Sequence, residues 1–368
     1  MFHTRYKLKA IAVLMSLVTF SGVSAQDVDE SQWELSEDGA EITNYLGRKS
    51  IRLNRGIADL KDVQFKNGTI SYDIAMEEKR GFSGVYFRWN DNSAEYFYLR
   101  PHMSGNPDAN QYTPRFNGLA GWQLYHSPRF AAPTVYQFDK WISVRLVVKD
   151  EKMDVYIDSD EPVLHVDNLM GPKEAGIIRF GGAAQNFHIS NVTVTPSDDV
   201  ETVGTPAPRA ELPDNLIRTF QVASTAVSSE DVEAKATLRP ALLQGQVWQA
   251  LEIDESGAAN LARISERTTE QNTLLVRKTL TADRAKTVLM QYGFSDRVTV
   301  FLNGKAIAYG DDTYQTRDYR HLGTIGLYDS VFLPLKAGEN ELIFAVSEGF
   351  GGWGIKAAMD PVEGVAID

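Results

Sequence analysis

The sequence predicts an all-β protein built as two consecutive sandwiches. Three observations carry that prediction. Short runs of alternating or β-branched residues recur along the chain, turn residues separate them, and helix-period segments are almost missing. The runs also stop once, over residues 196–215, where periodicity vanishes and Pro196, Pro206, Pro208 and Pro213 stand among Ser, Asp, Glu, Thr and Ala. Such a stretch reads as a linker between domains.

The chain opens on Arg5, Lys7 and Lys9, an apolar stretch from Ala10 to Phe20, and the small-residue run Ser21 to Ala25. That order is the layout of a secretory signal peptide over residues 1–25, with Val23 and Ala25 placed for a cut before Gln26. The apolar run falls well short of the roughly 20 residues a membrane span needs. The expectation is therefore a soluble protein, periplasmic or secreted, and not integral to a membrane. Cysteine is absent from all 368 residues, which excludes a disulfide framework, a lipid-modified cysteine and thiol catalysis. Each sandwich must then be held by its own core. A formal charge of −12 repels a phosphate backbone, so nucleic acid is not an expected partner, whereas a neutral glycan is compatible.

Strand candidates fill residues 32–195. FKNGTISYDIAM starts at Phe65; Asn67 and Gly68 offer a turn, and Ile70, Tyr72, Ile74 and Met76 recur with period two, so they share one face. SGVYFRWN, AEYFYLRP, WISVRLVV, MDVYID, PVLHV, AGIIRF and NFHISNVTV continue the cadence. The expected core is Trp33, Ile70, Tyr72, Val85, Phe87, Val144, Leu146, Val155, Ile157, Ile178, Phe180, Ile189 and Val192. Over 216–368 LIRTFQV reads as a strand, and the clearer strands are VWQALEI, ANLARI, TLLVRKTL, KTVLMQYG, RVTVFLNGKAIA, SVFLPL, NELIFAV and WGIKAAM. The stretch from Val222 to Gly245 has no clear assignment. Asn303-Gly304 is the strongest hairpin signal in the chain.

FKNGTISYDI, GVYFRW, AEYFYLRPH, NGLAGWQLY, WISVRLVV, MDVYID and NFHISNVTV together resemble the concanavalin-like sandwiches, and among them the laminin-G-like and glucanase-like modules that include the 3-keto-disaccharide hydrolases. This resemblance covers roughly residues 32 to 195 and implies the fold, with lectins, adhesive modules and glycosidases all among its bearers. VTVFLNGKAI followed by VFLPLKAGENELIFAV resembles the galactose-binding-like jelly rolls, which implies a second sandwich that binds sugar or serves as a spacer. The expected fold is thus a concanavalin-like sandwich followed by a jelly roll.

The candidate site lies in the first sandwich. Tyr96, Tyr98, Arg100 and His102 have even spacing and share one face, while Phe97 and Leu99 face the core. Arg88 and Trp89 end the preceding strand. A flat ring covers the apolar face of a pyranose, and Arg and His donate hydrogen bonds to hydroxyls. The same pattern also suits tyrosines that merely cover a sheet. From Met103 to Tyr125 a long connection adds Asn110, Tyr112, Arg115, Asn117, Trp122 and Tyr125. It reads either as a functional loop bringing Trp122 to the mouth of the site, or as an ordinary strand with Trp122 and Leu124 in the core. The expected ligand-binding set is Arg88, Trp89, Tyr96, Tyr98, Arg100, Tyr112, Arg115 and Trp122.

For an enzyme, His102 is the candidate acid or base and Arg100 the charge-stabilising group, with Glu95 or Asp108 as carboxylate partner. No histidine spacing suits zinc, and no metal site is expected; Asp91 with Glu95, or Asp108 with Asn110, leaves calcium as a minor alternative without an EF-hand pattern. Glu252, Ile253, Asp254 and Glu255 resemble a glucanase catalytic strand, but Glu255 comes one residue early and Ser256-Gly257 follows, so a solvated hairpin turn is expected. In the second sandwich, Asp311, Asp312, Tyr314, Arg317, Asp318, Tyr319, Arg320 and His321 share a loop region, and EGFGGWG carries Phe350 and Trp353. Phe350 and Trp353 form a binding platform there, or Trp353 plugs the sandwich end. Nucleophile-elbow and phosphate-loop motifs are missing. The leading expectation is a carbohydrate-binding protein, with a glycoside-acting hydrolase or lyase next and a structural or protein-binding module third.

Overall fold

The computed structural model describes residues 28–316 and 324–368. The expected signal peptide, and Arg317 to His321 of the loop above, lie outside the described residues. All named strand pairs are antiparallel, and they form four sheets. No helix among the described residues is long and apolar enough to cross a membrane.

Two sheets are built from the first half of the chain. In one the order is Trp33–Leu35, Gly56–Phe65, Gly176–Ala183, Phe82–Asn90, Ser93–Leu99, Asn110–Phe116 and Ala131–Ala132, with Leu119–Ala120 paired to Asn110–Phe116. Its partner runs Leu164–Val166, Lys152–Ile157, Trp141–Lys149, Gly68–Ala75, Phe187–Pro196, Arg48–Leu53 and Ala40–Tyr45. Alternation puts Ile70, Tyr72, Ile74 and Met76 between the sheets, as the pattern requires. Every residue of the expected core is buried in this layer except Val192, which is partly exposed and packs against it. Phe180 sits at its centre, edge-on to Trp33 and Tyr72 at 5.9 and 5.0 Å. Burying such a ring contributes about 1.5–3 kcal/mol.

The second half repeats the architecture with less symmetry. One sheet has the order Trp248–Glu252, Thr219–Ala223, Thr273–Ala282, Gly338–Ser347, Arg297–Leu302 and Lys305–Asp311; the other has Ala259–Asn260, Gly354–Ala358, Lys286–Ser295 and Asp329–Leu335. Asn303 and Gly304 take positive φ of 51° and 77° between the paired strands Arg297–Leu302 and Lys305–Asp311, the geometry of a two-residue hairpin turn. The unassigned stretch from Val222 to Gly245 largely lacks regular structure, apart from single 3₁₀ turns at Ser229–Asp231 and Pro240–Leu242. It covers the outer face of the larger sheet, where Val232 and Leu238 bury Leu275, Phe301, Ile343 and Ala345 in a separate small core. With both faces covered, the central strands read as continuous apolar runs.

The stretch expected as a linker has no strand between Pro196 and Thr219, yet it is fastened along its length. Val203 and Gly204 donate backbone N–H groups to the buried Asp154 carboxylate at 2.6 and 3.2 Å, and His165 Nδ1 meets the same carboxylate at 2.5 Å. A Cβ at Gly204 would stand 2.6 Å from Asp154 Oδ1, so only glycine allows this approach.

Candidate functional site

The two sandwiches meet over a polar seam. Tyr125 Oη donates to Asp254 at 2.6 Å and accepts from Asn260 at 3.0 Å, Asn117 donates to Ala262 O at 2.8 Å, and Ser295 Oγ donates to Gln123 at 3.0 Å. Arg129 is the hub. Its Nε donates to Glu255 at 3.1 Å, it donates to Ala207 O at 2.8 Å, and it pairs with Asp167. Asn168 adds a bond to Glu255 at 2.9 Å. The Glu252 to Glu255 string therefore ends in a turn, but not a solvated one: Asp254 and Glu255 are fasteners across the seam.

Above the seam opens a cavity of about 520 Å³. Tyr96, Tyr98, Arg100 and His102 all line it, so the even spacing on the strand Ser93–Leu99 and beyond brings four candidates together. Phe97 and Leu99 are buried in the core behind them. Tyr96 stacks on Tyr86 at 3.9 Å and on Tyr98 at 4.9 Å, forming a row of parallel rings. Gly84 lies beneath; a Cβ there would come within 2.6 Å of Tyr98 Cβ and displace the ring. Arg100 is clamped by Asp108 at 2.5 Å and donates to Tyr98 Oη and Gln111 Oε1, each at 2.6 Å. Gln111 in turn donates to Trp122 O at 3.0 Å, which ties Trp122 to the wall. Arg100 lies over the Trp122 ring at 5.5 Å. Burial first, then the Arg80 and Arg100 guanidiniums, push His102 below the ordinary histidine value, which leaves a neutral imidazole at pH 7.

The opposite wall comes from the second sandwich. Tyr314 and Phe350 face Trp122 at 6.2 and 6.0 Å and each other at 6.0 Å, a cluster of three rings drawn from both halves of the chain. Phe350 remains 59% exposed. Trp353 takes the other role: it is fully buried and donates Nε1–H to Val346 O at 2.8 Å, plugging the sandwich.

Five expected site residues, four of the ligand-binding set and the carboxylate candidate Glu95, stand elsewhere. Arg88 has φ of 53° at a bulge where the pairing of Phe82–Asn90 with Ser93–Leu99 shifts. The extra residue turns its side chain away from the cavity. There it donates to Lys66 O, Asn67 and Asp150 O at 2.8, 3.2 and 2.6 Å. Trp89 stays on the cavity side of the sheet but lies farther along it, under Arg179 at 4.1 Å. Tyr112 is wholly buried on the core side, where its hydroxyl donates to Glu95 at 2.7 Å and accepts from Met170 N at 2.7 Å. Glu95 is buried with it, on the opposite face from His102, and cannot serve as its carboxylate partner. Burial raises Glu95 to about 7, opposed by the Tyr112 hydrogen bond and the Arg88 charge. Arg115 does not line the cavity but flanks it, packed against Tyr86 and Trp89 at 5.8 and 5.2 Å.

The calcium pairings do not assemble. Asp91 is exposed at a turn while Glu95 is buried, and Asp108 is engaged by Arg100 while Asn110 donates to Ala132 O at 3.1 Å. Among the described residues no cluster of three metal-ligating side chains occurs. Nor is the 103–125 connection an open loop: it contains the strand Asn110–Phe116, after which Trp122 reaches the cavity and Leu124 the core. Phe82 and Arg80 also line the cavity, and neither was expected. Phe82 was readable in principle, since it shares parity with Tyr86 and opposes core Val85 and Phe87.

The fold and cavity thus define an all-β protein of packed antiparallel sheets with an open, ring-lined cavity at the junction. No protein-family model matches the sequence, and no curated protein matches it. Among solved structures it is similar to a carbohydrate binding module, CBM66, from Bacillus subtilis, with 15% identity over 44% of this chain and 94% of that one and a TM-score of 0.35. A glycoside hydrolase family 16 endo-glucanase from Bacteroides ovatus is similar at 11% identity over 46% of this chain and 96% of its own, TM-score 0.34. A β-glucanase from Bacillus licheniformis gives 11% identity, 46% and 95% coverage, and a TM-score of 0.34.

Proposed function

We propose that this is an exported carbohydrate-binding protein that holds a glycan in the cavity between its two sandwiches. One observation carries the reading: the row Tyr96, Tyr98, Arg100 and His102 converges with Trp122, Tyr314 and Phe350 on a single cavity of about 520 Å³. That volume is in the range of small-molecule sites, roughly 300–1,000 Å³. Rings supply flat apolar contact for pyranose faces, and the clamped Arg100 with His102 supplies fixed polar groups at small entropic cost.

Glycoside hydrolysis, as in the 3-keto-disaccharide hydrolases, is the second reading, and one feature favours it: a neutral His102 stands at the cavity as a ready proton acceptor. Against a paired-carboxylate mechanism, Asp108 is the only carboxylate among the described lining residues and is committed to Arg100. The deciding test incubates the protein with a broad glycan panel, recording retention and mass-resolved products beside the Tyr98→Ala, Arg100→Ala double variant. Retention without products, lost in the variant, is the expected result. Products lost in His102→Gln would move the assignment to an enzyme, and neither retention nor products would sink both readings.

A further inference from the structure

The chain as a whole is acidic, at −12, but the face around the cavity is not. Arg80 and Arg100 line it, and Arg115 stands at its end, paired in the sheet with Ala120 of the lining. Against these three cations the described residues of the lining offer one carboxylate, Asp108, bonded to Arg100. Among the described residues, Arg80 and Arg115 form no ion pair. Arg80 is exposed over the Phe82 ring at 5.5 Å. Arg115 has a buried Nε with no hydrogen-bond partner, and its contacts with Tyr86 and Trp89 consume none of its N–H groups. Arg179, farther along the same face, shows the contrast: Asp59 closes it with two bonds of 2.6 and 2.7 Å.

We infer that the glycan is anionic, carrying carboxylates or sulfates of which one reaches Arg80 at the Phe82 end of the ring row and another reaches Arg115 at the Tyr86 end. The inference rests on the cavity being a glycan site and adds the charge of its ligand. Guanidinium groups present a planar fork that matches such oxyanions in pairs of charge-assisted hydrogen bonds. The overall negative charge does not forbid this, because fields from distant surface charges are screened beyond about 8 Å at physiological ionic strength.

The test uses the full chain and titration calorimetry with trigalacturonate, its methyl ester, whose rings are the same but uncharged, and a sulfated galactose trimer. Trigalacturonate is expected to bind at least about tenfold more tightly than the ester at low salt, with the preference shrinking as salt rises. Comparing the uronate with the sulfated trimer then identifies the anion, and tight binding of either one over the neutral ester supports the proposal. Arg80→Gln, at an exposed position, and Arg115→Gln should each lower trigalacturonate affinity about five- to tenfold and leave the ester unchanged. Binding of the neutral ester as tight as that of both anionic trimers, or equal losses of acid and ester in Arg80→Gln, overturns the charge assignment. If neutral glycans of the wider panel are retained in that case, the carbohydrate reading survives; if nothing is retained, both fall.

Discussion

Arg129 and Arg100 are both buried arginines bonded to carboxylates, yet they belong to regions of opposite character. At the seam around Arg129 the polar groups are matched: Glu255 and Asp167 take its charge, Ala207 O takes a further N–H, and Asn168 completes Glu255. At the cavity the matching stops short. Arg100 keeps a buried Nε without a partner, and Arg115 does the same. A saturated cluster between two packed units fastens them, whereas an exposed cation at the cavity with no ion pair among the described residues, as Arg80 is, stands available to a ligand.

The largest expected effect comes from breaking the saturated side. Arg129→Met leaves Glu255 and Asp167 with only Arg209, an exposed cation 3.5 and 3.9 Å from them, and should still cost about 3 kcal/mol in urea unfolding. A loss below about 1 kcal/mol would mean that the seam is held by its apolar contacts instead. On the unsaturated side, Trp122→Ala removes the ring shared by both walls. It should weaken glycan retention about 30-fold, as for a central aromatic anchor, with the urea midpoint little changed.

Glu348 sharpens the contrast, because it is a buried carboxylate only half satisfied. Its Oε1 accepts from Gly352 N at 3.1 Å, while Oε2 is buried without a partner. Burial raises its pKa from 4.5 to about 8, with the Asp296 charge adding to the rise. The folded form therefore holds a proton that the unfolded chain releases. That contribution to stability is whole below about pH 4.5 and is lost as pH rises through about 8. Glu348→Gln should remove the dependence and melt about 2–4 °C above the parent at pH 9, with no such gain at pH 5. A parallel pH profile for the two proteins would show that the carboxylate is not the titrating group. The smallest effect belongs to Phe350→Ala at the exposed rim, where a two- to fivefold loss of retention is expected, about 0.5–1 kcal/mol.

Much of the first wall was legible because a strand side has strict period two. Tyr96 through His102 followed from parity alone, and the same parity puts Glu95 with Phe97 in the core, so its candidacy as a partner for His102 conflicted with the very pattern that selected the row. Arg88 was a different kind of failure. Its direction is set by a one-residue bulge, and nothing in GVYFRWN announces that Arg88 rather than Trp89 will turn inward. The second wall was hidden for a third reason: Tyr314 and Phe350 lie some 200 residues from Trp122 in the sequence, and only packing of one sandwich on the other brings them together. The turn at Asp254 and Glu255 shows the same limit, since its residues look solvated until the facing surface is known.

The laced course of residues 203–207 has a bearing on how such a protein would work on a polymer. Two modules on a slack tether can search for two epitopes, and their joint grip grows through effective concentration. Here the connecting chain is tied to Asp154 and Arg129 of the first module and, through Arg209, to Glu255 of the second at 3.5 Å, and one cavity draws its walls from both modules. The valency of a single molecule at this site is one. Any avidity toward a long glycan would have to come from many copies arrayed along it.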